Sequence, residues 1–231
     1  NNNNNKHHWW YYHLVSVPWQ AQIGPSCGLA ALRMAREYFL NLTIQQQQPP
    51  PQQQDMPPQS PPLQQQKLLL LPSLLTEAKE RGFTQDGEVF DAHHLLKLAQ
   101  DDDVCGIPFA DMRSVSSTTP REIHRVLQRG GIWIVPYDSH PRTRLPAKFS
   151  GRRAHYGIIV GIVFGSTSTT TTTPTTTNDD DPVVALLVPS LETNTIPPEE
   201  TDNDDDDSRV YLLVQHSLCS TLSIAPWTDF W

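Results

Sequence analysis

Three low-complexity tracts decide what this chain can fold into. Residues 45–66 are almost wholly Gln and Pro, residues 166–181 are a Thr run ending in Asp, and residues 191–207 are acidic and Pro-containing. None holds enough apolar surface to offset the entropy of ordering it, so disorder is expected in all three. Any folded body must be assembled from the segments between them. Lengthening a surface loop costs little free energy. The tracts therefore read as expanded loops within a single domain spanning residues 1–231, not as linkers between domains.

The tracts also distort the charge. The formal net charge is −8, but residues 166–207 hold 11 of the 25 acidic residues and no Lys or Arg. The remainder carries 17 basic against 14 acidic residues. That balance gives no basic surface for nucleic acid at the scale of the chain. No apolar run reaches the roughly 20 residues of a membrane helix. Three scattered cysteines form no disulfide framework and no CxxC zinc site. The expectation is a cytoplasmic protein with no membrane or nucleic-acid partner. The chain starts at Asn1 without methionine, so a fragment of a longer protein is expected.

Between the tracts the pattern is ordered. Ala31, Met34, Ala35 and Tyr38 recur at helical spacing with Cys27 one turn earlier, which predicts a helix from about Cys27 to Leu40. Shorter helices are expected in PSLLTEAKERG, ended by Gly82, and in FDAHHLLKLAQ, capped by Asp91. In TPREIHRVLQRGG, Thr119 caps, Pro120 takes the first helical position, Glu122 completes a capping box and Gly130 ends the helix. Beyond it, GIWIVPY, AHYGIIVGIVF, VVALLV, RVYLLVQ and STLSIA are short and rich in β-branched and aromatic residues, so strands are expected. Helices first and strands second predict an α+β fold, with N-terminal helices packed on a C-terminal antiparallel sheet.

The chemistry centres on QIGPSCGLAAL. A helix N-terminus stabilises a thiolate through its unpaired N–H groups and dipole, and Cys27 has that position. Gly28 is expected to leave room for a substrate backbone. Gln22, across the Gly24-Pro25 turn, could aim its amide at an oxyanion. The alternative at Cys27 is a buried thiol without function. A thiol nucleophile needs a base that can be distant in sequence. Of nine histidines, His155 opens the longest apolar strand after the turn FSGRR, where a ring can be presented to a cleft. Cysteine on an early helix and histidine at the start of a later strand form a nucleophile–base pair in thiol hydrolases. Arg142, Arg144, Lys148, Arg152 and Arg153 precede His155 with no acid among them. Such a loop would attract an acidic peptide.

The blocks QIGPSCGLAALRMA, AKERGFTQDGEVFDAHHLLKLAQ, GGIWIVPYD, GRRAHYGIIVGIVFG and RVYLLVQHS, in this order, resemble the actin maturation proteases, a family of papain-like cysteine peptidases. The chain departs from the family pattern at Tyr156, where tryptophan is expected, and in residues 139–150. The resemblance implies a papain-like fold and an enzyme that removes the acetylated first residue, Met or Cys, from nascent actin. It carries the nucleophile onto Cys27, the base onto His155 and the oxyanion donor onto Gln22, with Arg152 and Arg153 beside an acidic substrate. No cofactor or metal is required. The residue orienting the His155 ring stays open among Gln215, His216 and Asp138. Two rivals remain: a related thiol hydrolase acting on another acyl substrate, and a non-catalytic adaptor that binds actin, and profilin through the Pro-rich loop as a polyproline ligand.

Overall fold

The computed structural model describes residues 10–47, 73–107, 109–114, 117–142, 144, 146–147, 149, 152–165, 183–187 and 210–230. The tract at residues 48–66 and those at 166–181 and 191–207 lie outside them.

The elements follow the local signals closely where those signals are strong. Helix α1 spans Cys27–Gln47, longer than expected. Its core face, including Ala31, Leu32, Met34 and Ala35, is completely buried, and the helix carries on through Gln45 to Gln47 of the first low-complexity tract. Glutamine is a good helix former, so a packed helix already nucleated extends into it. Helix α2 is Leu74–Glu80 and α3 is Ala92–Gln100, whose Asp91 cap accepts the His93 N–H. Helix α4 is Pro120–Gln128. Its Thr119 cap accepts the Glu122 N–H, while the Glu122 carboxylate accepts from Arg113 instead.

The strands are β1 (Trp10–Leu14), β2 (Ala110–Ser114), β3 (Ile132–Ser139), β4 (Pro146–Ala147), β5 (Ala154–Gly165), β6 (Val183–Leu187), β7 (Val210–His216) and β8 (Cys219–Pro226). All pair antiparallel in one sheet of order β2-β6-β3-β5-β7-β8, with β1 also on β5 and β4 on β3. Three strands were not expected: β1, β2 and β4. Helices therefore do not all precede strands. β1 opens the chain and β2 lies between α3 and α4.

The sheet is the middle layer. One face carries Ile132, Ile134, Tyr156, Ile158 and Val160 against α1, α2 and α3. The other carries Trp133, Val135, Tyr137, Ile159 and Ile162 against α4 and the C-terminal Trp227 and Phe230. Burying apolar faces on both sides of one sheet is the main force holding the layers together. The alternation slips at a bulge between Ile159 and Gly161, which turns Ile162 to the second face. Among the described residues no helix is long and apolar enough to cross a membrane.

Candidate active site

The N-terminus of α1 meets the start of β5. Cys27 is the first residue of α1, half-buried against the helix-side core. Its sulfur accepts the backbone N–H of Tyr156 and faces the N–H groups of Cys27 and Gly28 at the helix end. Burial pushes the thiol up from its ordinary value, while these three donors and the helix terminus pull it down; Glu88 adds a smaller upward push. Desolvation is the larger effect, so the resting group is a neutral thiol.

His155 is the residue before that Tyr156 N–H. It is buried and pairs across the sheet with Tyr137, whose ring meets its own edge-on at 5.5 Å. Because side chains alternate along a strand, Tyr156 faces the α1 layer and the His155 ring faces the opposite layer with Tyr137. The thiol and the imidazole thus address consecutive residues of β5. They are not hydrogen-bonded to each other: Sγ takes the Tyr156 N–H, and His155 Nε2 is buried without a partner. Burial pushes the imidazole down to about 4, helped by the charges of His216 and Arg144, so the ring is neutral at pH 7.

Gln22 reaches the site from the segment before α1. Its backbone N–H donates to the Ser217 carbonyl at 3.2 Å, and its Oε1 accepts from Ser217 Oγ at 2.8 Å. Its Nε2 donates to the Gly24 carbonyl at 2.9 Å. These bonds tie the loop before Cys27 to the turn after β7. Gly24 makes that loop possible with φ +64°. A groove of about 160 Å³ opens alongside, lined in part by Gln22, Ile23, Ser26, Leu29, Leu74 and Leu75.

Gly28 does not leave room for substrate. It is buried, and a Cβ there would stand 3.2 Å from Leu95 Cδ1 and from Tyr156 Cδ2. The glycine lets α1 approach α3 and β5. The three candidates for orienting the ring have different places. Asp138 holds a loop, its two carboxylate oxygens accepting from Phe149 N–H at 2.8 Å and Arg153 N–H at 3.0 Å. Gln215 pairs across the sheet with Ile158, on the α1 side, and its buried Nε2 has no partner. His216 lies with its ring 6.0 Å from that of His155, its Nε2 3.0 Å from Ser223 Oγ and its Nδ1 buried without a partner. Of the three, only His216 touches the His155 ring, through a ring contact.

Arg152 and Arg153 are exposed in the turn before β5. The Arg153 guanidinium lies 5.9 Å over the Phe149 ring. Sequence reasoning missed three participants. Tyr137 is signalled only by its place in the expected strand GIWIVPY. The Tyr156 N–H has no side-chain signature at all. Ser217 matters through a pairing 195 residues distant.

Comparison with known proteins bears on this geometry. Residues 59–163 match the family model described as actin maturation protease-like, C-terminal domain. That span includes His155 but not Cys27 or Gln22. The chain is similar to the actin maturation protease of Danio rerio, 31% identical over 149 residues, covering 64% of this chain and 40% of that protein. It is also similar to those of Xenopus tropicalis (29% identical, 64% of this chain, 41% of that protein) and Mus musculus (30% identical, 64% and 34%). The match thus spans about 40% or less of the length of these curated relatives. No solved structure matches the chain.

Proposed function

We propose, from its similarity to the actin maturation proteases, that the chain is a cysteine peptidase that removes an acetylated Met or Cys from the N-terminus of nascent actin. In this reading it has a papain-like arrangement, with a helix-borne thiol and a strand-borne imidazole. One observation carries it: the Cys27 thiol rests on the backbone N–H of the residue following His155, whose buried Nε2 has no partner. A buried, unsatisfied ring nitrogen is costly, and such groups cluster where chemistry needs them.

The mechanism starts from two neutral groups. The reading requires the thiol and the imidazole, which do not touch at rest, to come within hydrogen-bond reach in the substrate complex, where catalytic contacts commonly tighten. Nε2 takes the Cys27 proton and the sulfur attacks the carbonyl of the acetylated residue. The oxyanion is met by the Cys27 N–H and by the Gln22 Nε2–H not given to Gly24. The C–N bond breaks, and His155 returns the proton to the leaving amine. Water, deprotonated by His155, then hydrolyses the thioester and releases the acetylated amino acid and the free thiol. The apolar groove beside Gln22 suits the side chain of the departing Met or Cys.

The test is release of acetyl-methionine from an N-acetylated actin N-terminal peptide, with ubiquitin conjugates as the contrasting substrate. The reading predicts cleavage of the peptide only, abolished by Cys27→Ala and reduced at least ~10²-fold by His155→Ala. Cleavage of ubiquitin conjugates instead would assign the site to another acyl substrate.

A further inference from the structure

We propose that Arg33 makes this site select acylated N-termini, its guanidinium donating to the carbonyl of the acetyl cap and repelling the ammonium of an unblocked chain. The proposal deepens the peptidase reading and rests on it.

Arg33 is on α1, two turns beyond Cys27 and about 9 Å from it along the helix axis. Side chains on a helix lean back toward its N-terminus. This one leans far enough for Nη2 to donate to the Ala21 carbonyl at 3.1 Å. That bond brings the guanidinium to the residue before Gln22, at the Cys27 end of the helix. Arg33 and Gln22 both line the groove that opens beside the site, with Ile23, Leu29, Leu74 and Leu75 among its apolar walls. Of the described residues that line it, Arg33 alone is charged.

This cation is little used within the protein. Arg33 is half-buried, and its Nε is buried without a partner. Among the described residues no ion pair includes it. Glu37, one turn further on, accepts from Gln20 Nε2 instead. A guanidinium offers a fork of N–H donors, and the bond to Ala21 takes one of them.

A groove with apolar walls and one unpaired cation fits an apolar group joined to a hydrogen-bond acceptor, and it disfavours a second cation. In the peptidase reading the groove takes the side chain of the residue whose carbonyl Cys27 attacks. The nitrogen of that residue is only a few bonds from the same carbonyl, so its substituent falls at the mouth of the groove, beside Gln22 and Arg33. When acetylated, the nitrogen carries a neutral group whose oxygen accepts from the unused N–H groups. When unblocked, it is an ammonium at pH 7. It then meets a guanidinium in a site that excludes much of the screening water, and no described acid lines the groove to balance the two charges.

Binding of two peptides with identical tails, one beginning acetyl-Met and one beginning with unblocked Met, tests this in a Cys27→Ala background that blocks turnover. The acetylated peptide is expected to bind at least about tenfold more tightly. Arg33→Gln should bring the two affinities together and Arg33→Glu should favour the unblocked peptide. Arg33→Lys keeps the charge and most of the preference, so a loss caused by misfolding would show in it as well. Arg113→Gln, on the far strand β2, should keep the preference whole. An unchanged preference in Arg33→Gln and Arg33→Glu, or no preference in the parent, overturns the proposal. If the preference follows Arg33 but the intact chain releases no acetyl-methionine, the peptidase reading fails while the acyl-end site stands. If the intact chain releases the first residue of both peptides equally well, the peptidase stands and Arg33 does not select.

Discussion

The Cys27 sulfur sits between a helix terminus that favours its anion and a burial that opposes it. Burial prevails, so the thiol ionises above its ordinary value. Cys219 is partly exposed and its hydrogen bonds to Thr221 pull its thiol down, whereas Cys105 is buried and pushed up to about 12. Alkylation by iodoacetamide followed against pH by peptide mass spectrometry should therefore label Cys219 first, Cys27 later and Cys105 last. Cys27 labelling well below pH 8 would contradict a neutral resting thiol. His155 makes a second prediction at this scale. Its folded value near 4 lies below the ordinary 6.5, so between those values the unfolded chain binds more protons. Stability is then fully present above about pH 6.5 and is lost as pH falls toward 4, by up to about 3 kcal/mol. His216 acts in the same direction. Chemical denaturation at a series of pH values should show this slope, and His155→Gln should flatten it. Cys27 and His155 could be found in the sequence because helix start and strand start are local signals. Their protonation could not, because it depends on which side chains cover them from distant strands.

At the scale of elements, close approach of backbones does work that local patterns do not announce. A Cβ on Gly161 would lie 2.7 Å from the His13 carbonyl of β1 and 2.7 Å from Leu213 Cδ1. Gly161→Ala should cost about 1–3 kcal/mol and should loosen β1, seen as faster amide exchange in residues 10–14 with β7 and β8 unchanged. Equal protection of β1 in both proteins would show that the strand tolerates the side chain. Asp138 supports a different element, the loop from Phe149 to Arg153. Asp138→Ala should raise KM for an acidic peptide several-fold and leave the NMR-measured His155 pKa in place. A moved His155 pKa would instead return Asp138 to the role of ring orienter. Helices α2, α3 and α4 and strands β3, β5, β7 and β8 were legible because caps, glycine stops and β-branched runs are encoded within each segment. β1 and β4 were not. The WYYHL of β1 follows a polar, His-rich start, and the two residues of β4 are strand only by virtue of Asp138 and Ser139 beside them. β2, reading ADMRS, has weak strand propensity and is held by pairing with β6.

For the whole molecule, one sheet with helices on one face and α4 with the C-terminal aromatics on the other brings the two ends of the chain to one place. Gln22 and Ser217 bond across it, and Trp19 Nε1 donates to the His216 carbonyl at 3.1 Å. The site therefore needs both the segment before α1 and the β7–β8 hairpin, although they are far apart in sequence and separated by the low-complexity tracts. That is why order along the chain could suggest a thiol–imidazole pair but could not tell which residues surround it. The central claim is that Cys27 is acylated by an acetylated N-terminus with His155 as its base. Mixing the chain with an N-acetyl-Met-Asp peptide, quenching in acid and mapping adducts by mass spectrometry tests it most directly. The account predicts an acetyl-methionyl group on Cys27, free acetyl-methionine in solution, no adduct in Cys27→Ala and slow formation in His155→Ala. An intact peptide with unmodified Cys27, or cleavage that survives Cys27→Ala, would contradict it.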